Sequence, residues 1–149
     1  MLDTTRFLLL GTRLKKRYEG ACCPICKKYG LLQIDFDVLA FLHNNPGYDT
    51  ARDIVELRAL QKSNVSASVE RLIEKGFLSR HPDPGDRRLI HLTLEQAAAG
   101  AAADIVRLQE TMSRRLFAAL SEQEQDTYRR LTDKLARSFE AEEGGEALC

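Results

Sequence analysis

Short amphipathic segments alternate with turn-forming residues along the chain. Apolar positions at helical spacing open the sequence: Phe7, Leu10, Leu14 and Tyr18. Because residues three or four apart share one face of a helix, this stripe predicts an amphipathic helix over about residues 4–19. Gly20 is expected to end that helix. The following segment, up to Gly30 and containing Pro24, is predicted to be a linker.

Three further helices are predicted before the pattern changes. The second runs from about Ile34 to His43. The third begins at Thr50, whose hydroxyl is placed to cap the helix while the carboxylate of Asp53 reaches back to the cap amide. The fourth is expected to begin after a Ser63 cap and to end at Gly76. Its inward face is predicted from helical spacing as Val65, Val69, Leu72 and Ile73.

From residue 77 the helical period is lost. Residues 77–80 and 88–92 are β-prone, and turn formers at 82–87 connect them, which predicts a β-hairpin with a charged tip. The capping pattern at 93–96 predicts a long helix to about Leu120, and a clearer capping box at 121–124 starts a last helix. That last helix carries Tyr128, Leu131 and Leu135 on one face. The expected fold is one domain, mostly α, with a small β-hairpin.

The composition is that of a globular protein without a strong overall charge. Hydrophobic residues make up 44% of the 149 residues, and 22 basic side chains balance 22 acidic ones. The net charge of zero therefore gives no indication that the protein binds nucleic acid or an anionic membrane. The apolar run Phe7–Leu10 is too short to span a bilayer, and a cytoplasmic protein is expected. Locally, residues 6–28 carry seven basic residues against one acidic residue, an excess of +6.

Two helices joined by a short turn and followed by a hairpin form the arrangement of a winged helix-turn-helix. The fourth helix is narrow enough to enter the major groove, where base edges differ in their donors and acceptors. An arginine on a rigid turn suits a narrow minor groove, and Asp86 is expected to orient Arg88 through a charged hydrogen bond. The expected DNA contacts are Lys62, Ser63, Asn64, Ser66, Ala67, Ser68, Arg71, Arg87 and Arg88.

Residues 49–56, 62–78 and 83–93 resemble the MarR family of bacterial transcriptional regulators. The motifs most specific to that family are Leu72–Leu78 and Asp86-Arg87-Arg88. The resemblance implies a homodimer that binds pseudo-palindromic double-stranded DNA with two recognition helices and two wings. It also implies that Arg88 enters the minor groove, and that an inducer binds between the dimer helices and the DNA-binding lobe.

The resemblance predicts a winged-helix lobe over about residues 31–93, with N- and C-terminal dimerisation helices over 4–19 and 95–139. The function predicted is DNA-binding regulation without catalysis, as a repressor, released by a small-molecule effector or by thiol modification. Two positions depart from the family pattern. Ala67 stands where a basic or larger polar residue is frequent, and Ala59 replaces a frequent turn glycine, so base specificity does not carry over.

Three cysteines fall within five residues, and their role is open. Cys23 and Cys26 form a C-x-x-C pair, with Cys22 adjacent. A closed zinc site needs four ligands, so zinc would have to be shared across a dimer, with His43 or Cys149. Neighbouring lysines are expected to lower the pKa of a thiol and to favour redox sensing. A thiol-disulfide or metal-binding module is the alternative function, and cysteines with no special role are the third interpretation.

Overall fold

The structure is a computed structural model that describes residues 3–143, with side chains through Ser138. The elements in chain order are α1 (Thr4–Tyr29), α2 (Gln33–Asn44), α3 (Ala51–Arg58), α4 (Lys62–Glu74), β1 (Leu78–Pro82), β2 (Ile90–Leu94), a 3-10 turn (Gln96–Ala98), α5 (Ala99–Phe117) and α6 (Glu122–Glu143). None of the helices described is both long and apolar enough to cross a membrane. The predicted mostly α architecture with one hairpin is confirmed.

The first helix is longer than predicted, because α1 continues through Gly20 and Pro24 to Tyr29. The expected linker is therefore wrong, and the cysteines lie on the helix. The reason is tertiary packing, since the inward stripe continues beyond Gly20 and its contacts outweigh one glycine and one missing amide hydrogen. The members of that stripe are Tyr18, Cys22, Ile25, Cys26 and Tyr29. The helix ends at Gly30 (φ 63°), after which the Leu31 amide donates to the Cys26 carbonyl at 2.8 Å.

The chain forms two compact units, Met1–Glu110 and Thr111–Cys149. The core of the first unit draws one or more large apolar side chains from each of α2, α3, α4 and α5. The largest that are fully buried are Phe36, Leu39, Ile54, Leu72 and Ile105. Burial of each such side chain contributes about 1.5–3 kcal/mol. Tyr18 of α1 packs edge-on against Phe36, with ring centroids 6.0 Å apart, and thereby joins α1 to this core.

The capping box that starts α3 is confirmed. The Thr50 amide donates to the Asp53 carboxylate at 2.9 Å, and the Asp53 amide donates to the Thr50 hydroxyl at 3.1 Å. The next helix begins earlier than predicted, because α4 is capped at Gln61, whose carbonyl accepts from the amides of Asn64 and Val65. Ser63 therefore lies in the first turn of α4, and its predicted role as a cap is wrong.

The predicted hairpin is confirmed, with β1 and β2 antiparallel and His81 paired to His91 in register. The predicted capping role of Thr93 is wrong, because Thr93 lies in β2 opposite Ser79. One further backbone bond, from the Glu95 amide to the Phe77 carbonyl at 2.9 Å, keeps the chain extended beyond the strand. The following helix therefore starts only after the 3-10 turn.

The second unit contains the end of α5 and all of α6. Its predicted capping box is present, with the Ser121 amide donating to the Glu124 carboxylate at 2.8 Å and the Glu124 amide donating to the Ser121 hydroxyl at 3.3 Å. Phe117 packs against Tyr128 at 5.1 Å between ring centroids. The predicted apolar face of α6, formed by Tyr128, Leu131 and Leu135, is exposed in the single chain.

Candidate nucleic-acid interface

Helix α4 buries one narrow face and exposes its N-terminal surface. The buried residues are Val65, Ser68, Val69 and Leu72, which follow the spacing i, i+3, i+4 and i+7. Ser68 is fully buried, so its predicted position on the outer surface is wrong. The other predicted contacts in the first turns of α4 are exposed as expected, and they are Lys62, Ser63, Asn64, Ser66 and Ala67.

A buried carboxylate on α2 holds α4 in place. Asp35 is 1% exposed and accepts hydrogen bonds from the Ser68 hydroxyl (2.7 Å), the Arg71 guanidinium (2.7 Å) and the Leu32 amide (2.9 Å). Burial opposes ionisation of this carboxyl, but the bonds from Arg71, Ser68 and Leu32 outweigh it and lower the pKa of Asp35. Arg71, predicted to contact DNA, is thus half-buried and committed to Asp35.

A second tie joins α4 to the hairpin. Arg80 of β1 donates through both terminal nitrogens to the two carboxylate oxygens of Glu70, at 2.7 and 2.8 Å. Such bidentate pairs fix direction as well as distance. Nothing in the sequence marks this pair, because Glu70 lies on α4 and Arg80 lies on β1, ten residues further along the chain. The pair holds β1 of the hairpin against α4.

The hairpin tip presents two arginines to solvent. Arg87 and Arg88 are exposed, and neither side chain forms an ion pair within the described part of the chain. The predicted charged bond from Asp86 to the guanidinium of Arg88 is wrong. Asp86 instead accepts from the backbone amide of Arg88 at 3.0 Å, because both residues lie in a tight turn. The carboxylate therefore shapes the turn and leaves the guanidinium unpaired.

His91, which no sequence pattern singled out, joins this tip to the rest of the fold. The Nδ1 atom of His91 lies 2.7 Å from the Asp49 carboxylate, and its Nε2 atom lies 3.0 Å from the Asp83 carboxylate. These two bonds raise the pKa of His91. The other oxygen of Asp83 accepts from the amides of Gly85 (2.7 Å) and Asp86 (2.9 Å) in the turn. The bond from His91, together with these amides, lowers the pKa of Asp83.

The helix-turn-helix and the wing coincide with a known family. The sequence model of the MarR family matches residues 29–89, which span α2, α3, α4, β1 and the hairpin tip. The HTH-type transcriptional regulator PecS of Dickeya dadantii is 26% identical over 140 residues, which cover 91% of this chain and 84% of PecS. The chain is thus similar to the MarR family over its helix-turn-helix and the first part of its wing. Its fold is the winged helix-turn-helix.

Solved structures of MarR-family members share the fold. A crystal structure of MarR superposes with a TM-score of 0.77 at 20% identity, covering 98% of this chain and 99% of that one. A complex of S. aureus MepR with DNA gives a TM-score of 0.71 at 17% identity, covering 93% and 98% of the two chains. The winged helix-turn-helix predicted from the sequence is thereby confirmed.

The cysteines of α1 lie on a helix that packs against the core. Cys22 is fully buried, and burial raises the pKa of its thiol to about 11. Burial and the neighbouring Cys23 raise the pKa of Cys26, so the expected lowering by nearby lysines is wrong for both thiols. No group of three side chains suited to a metal occurs among the residues that the structure describes. Cys149, a proposed zinc ligand, lies outside them.

An open groove of about 550 Å³ lies in the first unit beside the end of α2. Its walls come from α2, the end of β2, the 3-10 turn and α5, and they include His43, Ala99, Val106 and Arg107. Apolar walls with a few charged groups at the edge are typical of small-molecule sites. No cysteine is among the residues that line it. The small-molecule effector itself stays a prediction.

Proposed function

We propose that the chain is a homodimeric repressor that binds pseudo-palindromic double-stranded DNA in the cytoplasm and carries out no catalytic step. Each protomer would place the N-terminal turns of α4 in a major groove and Arg88 in the adjacent minor groove. The observation that supports this most is the pairing of an exposed, polar α4 surface with two unpaired arginines on a braced wing. The MepR complex with DNA comes from a protein of the same fold.

Local charge supports the assignment although the whole chain is neutral. The amides at the N-terminus of α4 and the side chain of Lys62 favour phosphate. The nearby acids are occupied, since Glu70 binds Arg80 and Asp83 binds His91. Arg87 and Arg88 are then the cations that the wing tip presents, and a narrow minor groove attracts arginine.

Dimerisation is proposed through the apolar surfaces that the single chain exposes. On α1, Phe7, Leu8 and Leu10 are each more than half exposed, and Leu131 and Leu135 of α6 are half exposed or more. Exposed apolar side chains at helical spacing, on each of these two helices, indicate a protein interface. We propose dimerisation segments at the start of α1 and over about residues 95–139, with a DNA-binding lobe over about 31–93. A two-fold dimer places its recognition helices about 34 Å apart, one turn of DNA.

The test is Arg88→Ala, measured by fluorescence anisotropy on duplex DNA from upstream of the protein's own gene. We expect an affinity loss of about tenfold or more, and a decrease in the slope of log affinity against log salt of about 1 per protomer, or about 2 for the dimer. Lys27→Ala is the control, because Lys27 is an exposed cation on α1 that lies outside the groove and outside the proposed DNA contacts. Light scattering should show that both variants remain dimers.

Three results would contradict the proposal. Equal affinity of Arg88→Ala and the unaltered protein would remove Arg88 from the interface. Failure of the unaltered protein to bind this duplex, and also any duplex selected from a random pool, would remove DNA binding through this surface altogether. Equal losses of affinity in Arg88→Ala and Lys27→Ala would show a general charge effect and would also remove Arg88 as a specific contact.

A further inference from the structure

A continuous chain of hydrogen bonds runs from the segment before α3 to Arg88. It begins at Asp49, passes through the ring of His91 to Asp83, and continues through the turn amides to Asp86. The carboxylate of Asp86 then holds the Arg88 amide. The backbone reinforces the start of this path, because the Leu92 amide donates to the Asp49 carbonyl at 2.7 Å. The hairpin tip is thus bonded to the body of the lobe and not only to its own strands.

The geometry at His91 requires a charged ring. Both ring nitrogens lie within hydrogen-bond distance of carboxylate oxygens, which only accept. A neutral imidazole has one N–H, so it satisfies one of the two carboxylates and presents a lone pair to the other. The imidazolium donates to both. The bridge between Asp49 and Asp83 is therefore complete only when His91 carries a proton on each nitrogen.

We propose that His91 is a positioning residue for DNA binding: its imidazolium clamps the wing tip to the lobe and so holds Arg88 where the minor groove will lie. We call Asp49, His91 and Asp83 the wing clamp. The inference rests on the proposed function, since a clamp of the wing matters to DNA affinity only if the wing contacts DNA. His91 itself lies in the strand behind the tip and is half-buried, so its effect passes through Arg88.

The clamp makes DNA affinity depend on pH, with a definite sign. The folded protein raises the pKa of His91 above the ordinary value of about 6.5. The clamp is therefore complete below the ordinary pKa and is lost as the pH rises through the raised one. The charged or titratable groups that face the ring are Asp49 from the segment before α3, Asp83 from the wing loop and His81 from β1. DNA affinity should fall as the pH rises.

The experiment compares His91→Gln with His81→Gln on the duplex used for Arg88→Ala. His81 is the strand partner of His91, is exposed and bonds only locally to Ser79, so it controls for loss of a histidine at the hairpin. At about pH 6, His91→Gln should weaken DNA binding about fivefold. The unaltered protein and His81→Gln should both lose affinity between about pH 6 and about pH 8.5, while His91→Gln stays flat.

Two additional variants separate positioning from stability. Asp49→Ala removes the acceptor at one end of the clamp without a substitution in the hairpin, and it should reproduce the effect of His91→Gln even if that variant folds poorly. In the Arg88→Ala background, His91→Gln should cause almost no further loss, because the clamp acts through Arg88. A purely structural histidine would add its own loss to that of Arg88→Ala.

The outcomes separate the two proposals. If the unaltered protein binds no duplex, the proposed function fails; the clamp then fails as a device for DNA binding too. If the unaltered protein binds and Arg88→Ala weakens binding, the clamp alone is overturned by any of three results. These are unchanged affinity of His91→Gln and Asp49→Ala, the same pH profile with and without His91, and additive losses in the double variant.

Discussion

Asp35 and Asp37 lie two positions apart on α2 and offer a matched pair of substitutions by asparagine. The side chain of Asp35 is 2% exposed and holds Ser68, Arg71 and the Leu32 amide. Asp37 is 14% exposed and pairs with Arg58 at 3.4 Å. Burial raises the pKa of Asp37, whereas the hydrogen bonds to Asp35 overcome burial and lower its pKa. The two substitutions should therefore change stability differently.

For Asp35→Asn we expect a loss of about 2–3 kcal/mol near neutral pH. Most of this loss comes from two hydrogen bonds that the Asp35 carboxylate accepts, from the Ser68 hydroxyl and from the Leu32 amide, at about 1 kcal/mol each. The Arg71 pair contributes less, because the Arg71 side chain is 36% exposed and can rehydrate. Asp37→Asn removes a charge that burial disfavours, so its free energy of unfolding should change by no more than about 0.5 kcal/mol.

Guanidinium unfolding followed by far-ultraviolet circular dichroism measures both changes. Protomer concentration must be fixed, because dimerisation contributes to the apparent stability. The pH dependence has a definite direction. The lowered pKa of Asp35 means that its contribution is present above the ordinary aspartate pKa of about 3.9 and is lost as the pH falls through the lower, folded value.

The difference between the unaltered protein and Asp35→Asn should therefore shrink in acid. Equal stability of Asp35→Asn and Asp37→Asn near neutral pH would refute the anchoring role of Asp35. A difference that persists unchanged well below the ordinary aspartate pKa would show that the loss comes from altered packing and not from the carboxylate charge.

Three further predictions concern the turn between α3 and α4, the middle of α1 and the thiols. Ala59 has φ 49°, so Ala59→Gly should raise the free energy of unfolding by about 0.5–1 kcal/mol in denaturant titration; a decrease would contradict strain there. An added Cβ at Gly20 meets nothing within 4 Å, so Gly20→Ala should stabilise α1 by about 0.5–1 kcal/mol in the same assay; a loss of stability would contradict the open surface at this position. Iodoacetamide labelling read by peptide mass spectrometry should modify Cys23 first and Cys22 last, and equal rates would refute the protection of Cys22.

The elements predicted correctly from the sequence are those that depend on residues close together in the chain. The capping boxes at Thr50 and Ser121 and the hairpin around Pro82–Arg87 each depend on residues close together in the chain, and the structure contains all three. Gly20 and Pro24 gave a false helix end, because the energy that extends α1 comes from side chains packed against α2. Propensity is weak beside such packing.

The missed parts of the interface all join distant segments. Ser68 completes the spacing of the inward face of α4, yet its polarity suggested the surface, because its partner Asp35 is 33 residues away. His91 bonds to Asp49, 42 residues away, across an otherwise ordinary strand. No periodicity marks such pairs. A polar residue at an inward helical position was the one signal that would have located Ser68.

The unbroken course of α1 has a mechanical consequence. At 1.5 Å per residue, its 26 residues make a rod about 39 Å long. The exposed apolar start lies at one end, and at the other the ammonium group of Lys75, just beyond α4, bonds to the Tyr29 carbonyl at 3.3 Å. A flexible linker at Gly20 would let the two ends of this segment move independently, whereas a continuous helix couples them. A change in the tilt at the start of α1 therefore displaces the contact between Tyr29 and Lys75, next to the end of α4.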